Sequence, residues 1–176
     1  NTTEENIVEN ELKKGQIRVI KVDLDNNEVK LQGVKFNVLN ENGEVLETIT
    51  TDENGEALTS RYPIRDFSKL TLQETETLEN YVLNDKPQTI TLEEEQIKNL
   101  TFENELKKGQ IRIIKVDMDN NEVKLQGVKF NVYDEDKNLV DTLVTDENGE
   151  AVSKRLRIDK EYTVQETETL ENYVLN

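Results

Sequence analysis

One block of text occurs twice in this chain, and nothing else constrains it as much. "ENELKKGQIRVIKVDLDNNEVKLQGVKFNV" begins at Glu9, and "ENELKKGQIRIIKVDMDNNEVKLQGVKFNV" begins at Glu103 (103 − 9 = 94 residues on). Further along, "QETETLENYVLN" begins at Gln73 and again at Gln165 (165 − 73 = 92). A net deletion of two residues therefore falls between the blocks, where "SRYPIRDFSKL" meets "SKRLRIDKEY". A repeat of this size is a small domain rather than a solenoid unit. The frame is offset from the chain ends. Residues 13–106 read as a first complete domain, and 107–176 as a second that lacks its last strand. Residues 1–12 read as a linker or the last strand of a preceding repeat, because "NIVENEL" resembles "NLTFENEL" at Asn99–Leu106.

Each unit reads as all-β. Alternating apolar runs predict strands over Gln16–Asp23, Val34–Asn40, Val45–Thr51, Glu56–Arg61, Lys69–Thr75, Tyr81–Leu83, Thr89–Leu92 and Leu100–Glu105. "NENGE" and "TDENGEA" supply Asn-Gly hairpin turns in which both residues can take φ > 0. Short strands separated by turns favour a β-sandwich. No stretch has a helical period; "EEEQIKN" is the best candidate and is short. "ELKKG" at Glu105–Gly109 has too little Gly or Ser for a flexible linker, so consecutive units are expected end to end.

Composition excludes several chemistries. The 176 residues carry 38 acidic and 22 basic side chains, a formal net charge of -16, which repels nucleic acid and anionic membrane surfaces. With no Cys and no His, disulfides, thiolate metal sites, His-ligated zinc and His-based triads are all absent. No apolar run approaches the ~20 residues that span a bilayer, and no signal peptide is visible. Neither a cofactor nor a resident metal is implied. "DLDNNE" places Asp23, Asp25 and Asn27 at the spacing that opens a calcium loop, but the Gly and terminal Glu of such a loop do not follow, which favours a solvated loop over a weak calcium site. The paired carboxylates of "ETETLE" and "LEEEQ" lack a cleft and read as surface charge.

Strand parity exposes three polar residues on apolar faces. In "GQIRVIKVD", Ile17, Val19 and Lys21 share a face and Arg18 takes the other. In "KLTLQET", Glu74 follows Leu70 and Leu72, and in the second unit Glu166 follows Tyr162 and Val164. In "NLTFENE", Asn104 follows Leu100 and Phe102. One reading is a covalent cross-link: a neutral Lys amine attacks the Asn amide, ammonia leaves, and the Glu polarises the carbonyl and shuttles protons. Burial favours the neutral forms of an amine and a carboxylic acid, and a folded core supplies proximity. The other reading is a buried Lys–Glu ion pair with a hydrogen-bonded Asn, or strand-end side chains that reach into water.

Five elements together resemble the Cna B-type domains of Gram-positive surface proteins, the collagen-adhesin and pilin-like repeat family. They are "IKVD" at Ile20–Asp23, "LQGVKFNV" at Leu31–Val38, "TDENGEA" at Thr51–Ala57, "LQETETLENY" at Leu72–Tyr81 and "LTFENEL" at Leu100–Leu106. The resemblance implies tandem immunoglobulin-like, prealbumin-like β-sandwiches. It also implies an autocatalytic Lys–Asn isopeptide bond aided by an acidic residue. The motif Lys falls on Lys21 and Lys115, the Glu on Glu74 and Glu166, and the Asn on Asn104 and Asn10. The family's Gly-Tyr after the Glu is Asn80-Tyr81 and Asn172-Tyr173 here, and Asn tolerates positive φ.

The implied role is a structural stalk repeat of an extracellular, cell wall-anchored adhesin or pilus-like protein, not an enzyme. The alternative is a repeat that itself binds a host matrix protein or a neighbouring adhesin. The implied partners are neighbouring repeats, with no nucleic acid, no membrane contact within this chain, and no host ligand that the sequence identifies. Lys115 and Glu166 lack an Asn-bearing strand of their own. Two readings stand: the second unit is merely incomplete and keeps an open edge, or Asn10 of one molecule completes the second unit of another by head-to-tail strand donation and cross-links to Lys115.

Overall fold

The computed structural model describes residues 2–176, which divide into two compact units, one ending at Leu106 and one running from Lys107 to Asn176. The first holds β1 (Lys14–Asp23), β2 (Lys35–Leu39), β3 (Val45–Thr50), β4 (Glu56–Leu58), β5 (Tyr62–Pro63), β6 (Lys69–Glu76), β7 (Gln88–Thr91) and β8 (Ile97–Asn104). One sheet sets β1 between β4 and β8, with β5 against the start of β1; the other runs β3-β2-β6-β7. The pairs are antiparallel except β1 with β8, which run parallel from Gln16↔Ile97 to Asp23↔Asn104.

Alternation governs what each strand buries. Ile17 and Val19 of β1, Phe36 and Val38 of β2, Leu70 and Leu72 of β6, and Phe102 of β8 meet in one core with no measurable exposure. Phe36 and Phe102 join the two sheets through tilted rings 4.9 Å apart. Their neighbours in sequence face outward: Arg18 on β1 reaches Glu56 and Asn99 at the surface.

The second unit holds β9 (Lys108–Gly109), β10 (Arg112–Ile114), β11 (Lys129–Tyr133), β12 (Leu139–Val144), β13 (Glu150–Val152), β14 (Leu156–Arg157) and β15 (Thr163–Glu168). Its pairings are β10-β13, β12-β11-β15 and β14-β9. A smaller core gathers Leu125, Val128, Phe130, Val132, Leu143, Ala151 and Leu156. Val164 is 36% exposed, although Leu72 at the matching position has none. Leu72 sits on a β6 that pairs with both β2 and β7, whereas β15 pairs with β11 alone among the described residues.

Several sequence expectations need correction. The expected strand Glu56–Arg61 splits, because Thr59 leaves the ladder: its Oγ1 takes the Ile17 N–H and donates to the Ser60 carbonyl. Tyr81–Leu83 makes an isolated bridge, Tyr81 with Leu106, rather than a strand. The Asn-Gly turns put only glycine in the left-handed region (Gly43 at φ 79°, Gly55 at φ 70°), not both residues. Asp23, at the head of the loop read above as solvated, is itself fully buried. Its Oδ1 accepts the backbone N–H groups of Asp25 and Asn26, and its Oδ2 accepts the Tyr81 hydroxyl at 2.7 Å. Residues 2–12, read as a linker or the last strand of a preceding repeat, form no strand within this chain and are exposed throughout. Their apolar members Ile7 and Val8 are 89% and 83% exposed.

Candidate functional site

β1 and β8 bring Lys21 and Asn104 to one sheet, and β6 brings Glu74 from the other. The parallel register sets Lys21 beside Phe102, so Asn104 lies one same-face step further along β8. That step is about 6.6 Å, within reach of a lysine side chain. Lys21 Nζ contacts Asn104 Oδ1 directly. It stands 2.8 Å from Glu74 Oε1, with both side chains fully buried. Asn104 Nδ2 donates to Glu74 Oε2 at 3.0 Å and to Thr77 Oγ1 at 2.6 Å. The amide is thus gripped on both sides, its oxygen by the amine and its nitrogen by the carboxyl and a hydroxyl. Lys21 Nζ also lies 5.9 Å from the centre of the Phe102 ring.

The surroundings fix this geometry. Gly55, at positive φ, lets its turn pack on the Lys21 backbone: a Cβ there would stand 2.7 Å from the Lys21 carbonyl oxygen, and the Lys21 N–H donates to the Gly55 carbonyl at 2.7 Å. The Asn104 carbonyl accepts the Leu24 N–H at 2.9 Å. The Asn84 N–H donates to Glu74 Oε2 at 2.7 Å. Burial pushes the Lys21 amine below its ordinary 10.5; the hydrogen bond and charge of Glu74 and the charge of Glu103 oppose this and are weaker. An amine so placed loses its proton more readily, which is what a nucleophile requires.

In the second unit Lys115 Nζ lies 2.9 Å from Glu166 Oε1. Glu166 Oε2 accepts the Asn176 N–H at 2.6 Å, as Glu74 accepts that of Asn84. The Tyr173 hydroxyl donates to Asp117 as Tyr81 does to Asp23. Asn10, the remaining predicted site residue, lies in the exposed segment before β1. Thr77, Asn84 and the Tyr81–Asp23 pair escaped the parity argument because they sit off the strands or at a strand end. The one available signal was repetition, since "IKVD", "QETET" and "NYVLN" carry them in both units. Asn80 and Asn172 take φ 72° and 73°, so Asn occupies the left-handed position where the resembling family has Gly.

Two copies of a β fold, each with a lysine and a glutamate paired inside, define a protein of the prealbumin-like β-sandwich class. The SpaA prealbumin-like fold domain family matches residues 15–106 and again 109–176, and the chain belongs to it. The resemblance to Cna B-type domains therefore holds at the level of the family, and so does the expected tandem, all-β fold. Among solved structures, the Bacillus anthracis TIE protein is similar at 28% identity and a TM-score of 0.69, over 93% of this chain and 30% of that one. A streptococcal ancillary pilin matches at 22% identity and a TM-score of 0.46, over 96% of this chain and 57% of that one. The shaft pilin SpaA from Lactobacillus rhamnosus GG matches at 16% identity and 0.45, over 92% and 90%. A comparison with curated proteins returns no match. The family match places both units among prealbumin-like fold domains.

Proposed function

We propose that the chain is part of the stalk of an extracellular, wall-anchored Gram-positive adhesin or pilus-like protein, and that its first unit, residues 13–106, locks itself with an isopeptide bond between Lys21 and Asn104. The observation that carries this reading is the buried contact of Lys21 Nζ with the Asn104 amide, bridged by Glu74.

The chemistry balances without a cofactor. Lys21 gives a proton to Glu74, and the neutral amine attacks Asn104 Cγ. Glu74, now protonated, passes its proton to Nδ2, to which it is hydrogen-bonded, and takes up the second proton shed by the attacking nitrogen. The Cγ–Nδ2 bond breaks, ammonia leaves, and a secondary amide remains. Glu74 acts once per molecule, so there is no turnover and no external substrate.

The bond closes a loop between positions 83 apart. Treated like a disulfide, such a loop contributes about 4–5 kcal/mol through the unfolded state. Unlike a disulfide it resists reduction, which suits a cysteine-free exterior protein. Neighbouring repeats are the natural partners, including other copies of this chain.

Intact-protein mass spectrometry tests the reading. The expected mass is short by one ammonia, and Lys21→Ala or Asn104→Ala restores it. A full, unmodified mass for the wild-type chain overturns the reading.

A further inference from the structure

β6 departs from alternation just past the reactive carboxyl. Phe36 of β2 is paired with Glu74, but Lys35, the residue before it, is paired with Glu76, so Thr75 is an extra residue in β6. Such a bulge re-aims the side chains beyond it. Leu72 and Glu74 face the core, Thr75 and Glu76 are both exposed, and Glu76 pairs with Lys35 at 3.0 Å on the surface. Thr77 therefore turns inward, and its Oγ1 accepts Asn104 Nδ2 at 2.6 Å. Unbroken alternation would send Thr77 to the solvent face. The second unit has the same shift, with Phe130 paired with Glu166 and Lys129 with Glu168.

The bulge thus gives the two hydrogens of Asn104 Nδ2 separate acceptors, Glu74 Oε2 at 3.0 Å and Thr77 Oγ1 at 2.6 Å. Glu74 Oε2 already takes the Asn84 N–H at 2.7 Å. We infer that Thr77 is a second catalytic residue of the cross-linking reaction, the one that makes ammonia rather than the lysine amine leave Asn104 Cγ. The inference rests on the chemistry proposed for the first unit.

Attack by Lys21 Nζ leaves two nitrogens on one tetrahedral carbon, and the one that carries the extra proton departs. Glu74 Oε1, 2.8 Å from Nζ, takes the proton that Nζ sheds, and the carboxyl gives one to Nδ2. Nδ2 then gains positive charge while Thr77 Oγ1 still accepts one of its hydrogens. A hydrogen bond from a charged nitrogen is roughly twice as strong as one from a neutral amide. The Thr77 contact therefore strengthens as the Cγ–Nδ2 bond breaks, and an interaction that grows toward the transition state raises the rate. The bond formed is Nζ–Cγ, the bond broken is Cγ–Nδ2, and ammonia leaves; Thr77 neither gains nor loses a proton. Of the two groups that hold Nδ2, Glu74 is buried and Thr77 only partly so. Ammonia thus reaches water past the Thr77 hydroxyl.

The test is the rate at which the full chain sheds ammonia, read by intact mass at intervals after synthesis, in variants whose far-UV circular dichroism matches wild type. Thr77→Ser keeps the hydroxyl and should react at the wild-type rate. Thr77→Val keeps the shape, removes the acceptor and should react about ten- to a hundredfold more slowly, the loss expected for a hydrogen bond to a charged group. Thr77→Ala leaves room for a water in place of the hydroxyl and should fall between the two. Thr77→Val at the wild-type rate overturns the inference and leaves the cross-link standing. Thr77→Ala slower than Thr77→Val does the same, because packing rather than the hydroxyl then sets the rate. Should Thr77→Val not fold, equal rates for Thr77→Ser and Thr77→Ala overturn the inference, and a slower Thr77→Ala supports it. A wild-type chain that never sheds ammonia overturns the inference and the cross-link together.

Discussion

Lys21 and Glu74 lie on facing sheets of the first unit, and their charged ends meet 2.8 Å apart with neither side chain exposed. Two opposite charges in a dry core attract strongly, yet each has lost its water, so the pair as such adds little net stability. What the pairing provides is a proton path: the carboxyl can take the lysine proton and hand it to the Asn104 amide nitrogen 3.0 Å away. Glu74→Gln keeps the shape and removes that path. The expected variant keeps its full mass and unfolds more easily. Breaking a buried pair costs about 3–5 kcal/mol, and losing the closed loop removes about 4–5 kcal/mol more. Mass and denaturant unfolding measure the two effects separately. A variant that still sheds ammonia at the wild-type rate would remove Glu74 from the chemistry.

Asn104→Ala leaves Lys21 unreacted and therefore titratable. Its folded pKa lies below the unfolded 10.5 because burial dominates. Within that window the unfolded chain binds more protons than the folded one. Stability must then rise with pH from the folded pKa up to 10.5. Tyr62 has the opposite sign: burial and Glu47 raise its pKa, so its stabilising effect is lost once pH passes 10.0 and the unfolded tyrosine ionises. Measured between about pH 8 and 10, where no His or Cys titrates in this chain, the denaturant midpoint of Asn104→Ala should climb. The double variant with Lys21→Met should stay flat. Parallel profiles for the two variants would contradict a depressed Lys21.

The three central residues were legible because each ends an apolar run on a strand, where parity alone assigns a face. Lys21, Glu74 and Asn104 are indeed buried and in contact. The parallel pairing of β1 with β8 was not legible, since two strands separated by most of the domain carry no local signal of direction or neighbour. Thr77 and Asn84 were missed for a related reason: both lie beyond the end of β6, where no period applies. Residues 2–12 carry a strand-like text but form no strand. A strand needs a partner ladder as well as a pattern, and the described residues offer them none.

Gly55 and Gly43 both sit at positive φ, and only one of them touches the site. A Cβ at Gly43 meets nothing within 4 Å, so Gly43→Ala carries backbone strain alone, about 1–2 kcal/mol. A Cβ at Gly55 would stand 2.7 Å from the Lys21 carbonyl oxygen and 3.0 Å from Lys30 Cβ. Gly55→Ala must therefore displace β1 at Lys21. It should cost more than Gly43→Ala in denaturant unfolding and slow ammonia loss, while Gly43→Ala leaves the rate unchanged. Equal rates in the two variants would separate the turn from the positioning of Lys21.

Tension along the chain gives the sharpest contrast between bonded and unbonded forms. The chain enters the first unit through β1 and leaves through β8, which run parallel, so a pull on the ends loads their shared hydrogen bonds in shear. With Lys21 joined to Asn104, force passes across the bond, and the residues between are carried as a slack loop of positions 83 apart. At about 3.4 Å per residue that loop holds about 280 Å of contour length. A single-molecule pull on the wild-type first unit should show almost none of that release. Asn104→Ala should release all of it in one event at far lower force. A wild-type trace with the full release would mean that the sheets bear the load by themselves and that no bond bypasses the core.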